Sequence, residues 1–171
     1  ISCNIVSDGT TKKLLKRTGI KKLYTANASI YQKEFLKTEP RFRCILCKRM
    51  MFRLAQKIAE KENTKFIITG ENLGQVASQT LDNLAVNDSV IDHEKFFILR
   101  PILCHDKNDT VKIARKIGTF DISIEKTPSC PWLPSNPATK STNQQLEKEE
   151  AKIDVENLIK STLKEVKIEE I

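Results

Sequence analysis

The sequence predicts an α/β fold, an open parallel sheet with helices on both faces. Three observations carry this prediction. Short apolar runs suited to strands alternate with longer amphipathic stretches suited to helices. Glycines and capping residues stand at the joints between them. The length, 171 residues, is that of one domain able to bury a real core. Residues 1–142 form the main body in this reading, and 143–171 a helical tail packed on it or extending from it.

The elements follow in order. Ser2 to Val6 reads as a short strand and Ser7-Asp8-Gly9 as a turn. Asp8 or Thr10 can cap a helix running to about Arg17, which Gly19 stops. Lys22 to Ala28 alternates enough for a second strand, and a connector holding Pro40 leads to Cys44 and Cys47 at a helix start. In that helix Met50, Met51, Leu54, Ala55, Ile58 and Ala59 form an apolar stripe that reads as core, while Arg53, Gln56, Lys57 and Glu60 face away. Phe66-Ile67-Ile68 reads as a short buried strand, followed by a helix from near Gln75 to about Leu84. Phe96 to Leu99 is the next strand, stopped by Pro101. Asp106 caps a helix through Lys116, with Asp109 in its first turn and Gly118 just past its end. Pro128, Pro131, Pro134 and Pro137 mark a loop around Cys130 and Trp132. From Gln144 the tail is charged and helical, and Asp154 caps a segment holding Val155, Leu158, Ile159 and Leu163.

Composition narrows the function. The chain is 39% hydrophobic and 30% charged, with no apolar run long enough to span a bilayer and no signal-peptide pattern, so a soluble, cytoplasmic protein without membrane partners is expected. The net charge of +7 favours polyanionic partners, although the cations are spread along the chain as they would be for solubility alone. Five cysteines, an odd number, argue against a disulfide framework and for catalytic or metal-binding thiols.

The run Thr69-Gly70-Glu71-Asn72-Leu73-Gly74-Gln75-Val76-Ala77-Ser78-Gln79-Thr80 stands at the carboxyl end of a predicted strand, where ligands gather in parallel sheets. Glycine there lets a ligand approach the backbone, and Gln75, Ser78 and Gln79 offer uncharged donors and acceptors suited to a base or ribose. On local chemistry alone, a turn whose polar residues cap the next helix fits equally well. Cys44 and Cys47 form a C-x-x-C at a helix start, which leaves metal ligation, redox chemistry and persulfide formation open. Cys3 and Cys104 read as buried strand cysteines. His93 has no evident partner, and His105 suits a local cap.

Together with Cys44-Ile45-Leu46-Cys47-Lys48-Arg49-Met50-Met51, Leu99-Arg100-Pro101-Ile102, Asp106-Lys107, Ala114-Arg115-Lys116-Ile117-Gly118-Thr119 and Pro128-Ser129-Cys130, the run resembles the ThiI family, the tRNA sulfurtransferases that make 4-thiouridine. The resemblance extends in order from about Thr11 to the end. It implies an adenine-nucleotide-hydrolase-like, PP-loop (HUP-type) domain lacking its first βα unit. It implies that Lys48, Gly70 and Gln79 contact ATP, which arrives with Mg2+. It implies Lys107 for the activation step and Cys130 for sulfur transfer. Some archaeal-type members use the C-x-x-C pair with the later cysteine to hold an iron–sulfur cluster, which assigns Cys44, Cys47 and Cys130 to a 4Fe–4S or 3Fe–4S centre with one iron open to sulfide. Zinc is the rival, with His105 or Cys104 as a fourth ligand. The implied partners are tRNA, mainly through upstream domains, and a sulfide or persulfide donor; a homodimer is also allowed.

The chain departs from the family in lacking the phosphate-cradling S-G-G-x-D-S loop. Ser7-Asp8-Gly9-Thr10 has no paired glycines to form a phosphate nest. A fragment of a longer enzyme, inactive alone, is the expectation. The alternative is a non-enzymatic iron–sulfur or zinc binding module, or an inactive paralogue.

Overall fold

The computed structural model describes residues 8–125 and 130–171. The predicted strand at Ser2–Val6, Cys3 within it, and Pro128-Ser129 lie outside the described residues. In chain order come α1 (Asp8–Thr18), β1 (Lys22–Thr25), α2 (Ser29–Glu34), α3 (Arg43–Lys61) and β2 (Phe66–Ile68). They are followed by α4 (Leu81–Asp88), β3 (Phe97–Leu99), α5 (Lys107–Lys116) and α6 (Phe120–Ser123), then α7 (Asn143–Glu150), α8 (Val155–Lys164) and β4 (Lys167–Glu170). Among the described residues no helix is long and apolar enough to cross a membrane.

The α/β class holds, with β2 and β3 paired in parallel in the register Phe66↔Phe97, Ile67↔Ile98 and Ile68↔Leu99. The described strands make two separate two-stranded ladders, because β1 pairs antiparallel with β4. That strand follows the predicted helices of the tail and carries no local signal. Its partner lies almost a whole chain away, and only tertiary context selects it.

α3 organises the interior. Pro40 opens the 3-10 turn that leads into it, and the Arg43 Nε donates to the Phe35 carbonyl at 3.1 Å. Ile45, Leu46, Met50 and Leu54 point into one cluster with Tyr31, Phe35, Phe42, Leu146 and Leu158. The connector around Pro40 therefore contains a helix that the sequence reading missed. Ala28 gives α2 no side-chain cap, but Asn27 Oδ1 accepts from the Ser29 amide at 3.2 Å, and burial of Tyr31 holds the helix against the core. Phe52 and Ala59 point the other way, into a smaller cluster with Ile91 and Phe96. Gln56, expected to face solvent, is buried between these groups. It donates to the Val90 carbonyl at 3.0 Å and accepts from the Asp92 amide at 2.8 Å, so its polar ends are satisfied.

α7 is locked onto α3 by charge. Glu150 accepts from Arg49 Nε at 2.9 Å and from Arg53 Nη1 at 2.6 Å. Burial would raise its carboxyl, but the bonds from Arg53 and Arg49 outweigh it and hold the group down at about 2.

The strand Phe66–Ile68 is less buried than its composition suggested. Side chains alternate along a strand, so Ile67 and Ile98 meet the small cluster while their neighbours point outward. Phe66, Ile68, Phe97 and Leu99 are 59%, 68%, 53% and 45% exposed. The following helix also starts later than expected. Gly74, at φ +76°, turns the chain, Ala77–Gln79 forms a 3-10 turn, and Thr80 caps α4 by accepting from the Asn83 amide at 3.3 Å. α5 begins as predicted, with Asp106 accepting from the Asn108 amide at 2.8 Å, and ends at Gly118 with φ +71°.

Candidate functional site

Two cavities adjoin at the start of α3. The larger, about 330 Å³, lies between α3 and the carboxyl end of β2. Its floor is apolar, with Met51, Phe52 and Ala55 from α3 facing Ile67 and Ile68. Met51 and Ala55 thus line a cavity as well as continuing the apolar stripe of their helix. Its polar rim is Lys48, Thr69, Gly70, Glu71 and Gln79, which unites three residues singled out from sequence: Lys48, Gly70 and Gln79. An apolar floor beside a strand's carboxyl end, with polar groups at one edge, is where small ligands gather in α/β folds.

The polar loop is braced from behind. Asn83 Nδ2 donates to the Ala77 and Ala138 carbonyls at 2.7 and 2.9 Å, fixing the turn that presents Gln79. Asn72 Nδ2 donates to the Ile102 and His105 carbonyls at 2.8 and 2.7 Å, tying the loop after β2 to the one after β3. Lys107 follows that second loop at the exposed first turn of α5 and is not among the residues lining either cavity.

The second cavity, about 200 Å³, gathers sulfur. Cys44, Cys47 and Lys48 fall at i, i+3 and i+4 on α3 and so share one face. Gln32, Phe35, Cys130 and Trp132 complete most of the wall. Burial and the neighbouring Cys130 push the Cys44 thiol up, while Lys48 pulls the other way. Gln32 Nε2 donates to Cys47 Sγ at 3.7 Å. The three thiols line one cavity, yet among the described residues no three Cys, His, Asp or Glu close into a preassembled metal-ligand set. The suggested fourth ligands do not line it. Cys104, expected in a buried strand, is exposed in the turn after β3, and the His105 Nδ1 is buried without a hydrogen-bond partner.

Lys48 belongs to the walls of both cavities. It is no solvated lysine: its Nζ lies 2.9 Å from Glu71 Oε1. Glu71 Oε2 in turn accepts from Arg100 Nε at 3.0 Å, and Arg100 Nη2 reaches Asp88 Oδ1 at 2.7 Å. His93, which seemed partnerless, lies 3.1 Å from the other Asp88 oxygen. Sequence reading passed over Glu71 and Arg100 as site residues. The available signal was opposite charge just beyond the carboxyl ends of two strands that pair in register.

Comparison with known proteins identifies the family. The family model described as thiamine biosynthesis protein (ThiI) matches residues 10–155. A probable tRNA sulfurtransferase of Methanocaldococcus jannaschii is 47% identical over 112 residues, covering 66% of this chain and 29% of that protein. One from Clostridium kluyveri is 34% identical over 167 residues, covering 92% and 43%. The crystal structure of a 4-thiouridine synthetase–RNA complex with bound ATP superposes with a TM-score of 0.90 at 35% identity, over all of this chain and 47% of that one. The chain spans less than half the length of these relatives.

Proposed function

The chain belongs to the ThiI family, and from that premise we propose that it is the nucleotide- and sulfur-handling part of a cytoplasmic, ATP-dependent tRNA sulfurtransferase that makes 4-thiouridine. The uracil O4 attacks the α-phosphorus of ATP, releasing pyrophosphate and leaving an adenylylated oxygen. Sulfur then attacks C4, and AMP departs with that oxygen. The adenine lies over the apolar floor beside Gly70 and Gln79, and Lys48 meets the phosphates as a compact cation. The Glu71 carboxylate is taken by Lys48 and Arg100, so the Mg2+ is assigned to the ATP phosphates. Lys107, joined to the nucleotide loop through Asn72 and His105, serves the activation step from the first turn of α5 as a compact cation.

The three thiols suit a thiolate-ligated centre in a largely apolar recess. Cys44, Cys47 and Cys130 would hold an iron–sulfur cluster. When bound, that group supplies an iron open to exogenous sulfide. The chain's own contribution is to place the exposed Cys130 and the paired cysteines beside Lys48, with Phe35 and Trp132 as apolar walls.

The observation that carries the reading is Lys48 in the wall common to the nucleotide cavity and the thiol cavity. The test separates the two half-reactions in a complete enzyme containing this chain. Lys107→Ala abolishes tRNA-dependent AMP formation, whereas Cys130→Ala spares adenylylation and stops sulfur delivery. Loss of the same step in both variants refutes the assignment.

A further inference from the structure

We infer that Glu71 is a positioning residue: its buried carboxylate holds the Lys48 ammonium in the wall between the two cavities and aims it at the phosphates of the bound nucleotide. This rests on the nucleotide reading of the larger cavity and adds to it a residue that the motifs had not singled out. A buried carboxylate persists only where cations and donors satisfy it, and each Glu71 oxygen has a specific partner. Oε1 takes Lys48 at 2.9 Å, while Oε2 takes Arg100 at 3.0 Å and the Thr69 hydroxyl at 3.3 Å. The Oε2 side is fixed. Arg100 is anchored 2.7 Å from Asp88, and the main chain next to Glu71 is pinned through Asn72. Only Lys48, on its four-carbon stem, has freedom to lose.

That geometry gives Glu71 a directional role. A lysine ammonium has three donors, and the Glu71 bond uses one, which leaves two for ligand atoms. Without the anchor the flexible lysine spreads over several rotamers, and binding has to order it again. Charge alone predicts the opposite, because an anion beside the phosphates repels them. The sign of the effect therefore decides the role.

The experiment measures MgATP affinity of a complete enzyme containing this chain by titration calorimetry, with circular dichroism confirming that each variant is folded. Glu71→Gln is expected to weaken binding about tenfold, since a carboxamide cannot serve two cations, and Glu71→Asp, which keeps the charge but shortens the reach, about threefold. Combined with Lys48→Met, the Glu71→Gln change is expected to add less than about twofold, because its effect runs through the lysine. Unchanged or tighter binding in folded Glu71→Gln overturns the inference, as does a full additional loss in the double variant. Should Glu71→Gln not fold, Glu71→Asp decides by the same sign. Failure of the parent reading looks different: the unmutated complete enzyme does not bind MgATP, or Lys48→Met alone leaves affinity unchanged.

Discussion

The two sides of α3 are finished differently. On one side Ile45, Leu46, Met50 and Leu54 are closed in by α2, α7 and α8, and Leu146 is fully buried against them. On the other, Phe52 and Ala59 meet Ile91, Phe96 and the inner face of the β2–β3 ladder, whose outer face leaves Phe66, Ile68, Phe97 and Leu99 largely open. Both cavities lie where these sides meet. A packed interior gives Cys44, Cys47 and Lys48 a rigid helix to stand on, while the thinner side leaves room for a ligand beside β2. Stability and binding are thus drawn from opposite faces of one helix.

Unequal truncations test that contrast. Leu146→Ala removes a fully buried side chain from the closed side and should cost about 3 kcal/mol in chemical denaturation. A cost below about 1 kcal/mol would mean that the α7 contact is not part of the core. Next comes the charge lock between α7 and α3. Glu150→Gln should cost about 2–3 kcal/mol, because Arg49 is left buried with its charge uncompensated. The same group sets an acid limit. Its folded value is depressed to about 2, so the stability it contributes is present above the ordinary carboxylate range and drains away as the pH falls toward that value. Acid unfolding of Glu150→Gln should accordingly be shallower than that of the parent, and equal slopes would remove Glu150 from the account.

The thiol cavity gives a spectroscopic contrast instead of an energetic one. Anaerobically purified protein should absorb broadly near roughly 400 nm, and Cys44→Ala should abolish the band. Stoichiometric zinc without iron would refute the cluster. The smallest effect belongs to the open face. Phe66→Thr should change stability by no more than about 0.5 kcal/mol, while reducing self-association in light scattering. A loss comparable to that of Leu146→Ala would show that this face is covered in the free protein.

Much of the site was legible because its signals are local. Gly70 at a strand end, Asp106 as a cap, Gly118 after a helix and the C-x-x-C of Cys44 and Cys47 at a helix start each depend on a few neighbouring residues, whereas Lys48 entered with the family resemblance. The convergence of Cys130 on the pair came from the family resemblance, since spacing alone cannot bring together residues so far apart. What stayed hidden depends on distant contacts. α2 is short and depends on the burial of Tyr31; Gln56 is interior because the Val90 carbonyl and the Asp92 amide await it. The openness of Phe66 and Ile68 was invisible for the converse reason: an apolar run states a preference for burial, not the presence of something to bury it.

The antiparallel ladder between β1 and β4 imposes an order on synthesis. β1 leaves the ribosome well before β4, so the edge that β4 will take is unmatched until α8 has been made. Through that interval the nascent chain carries an unpaired strand that chaperones or neighbouring polypeptides can capture. Ladder closure is therefore expected among the last folding events, and hydrogen exchange at Leu23 and Tyr24 should report it as a late gain of protection.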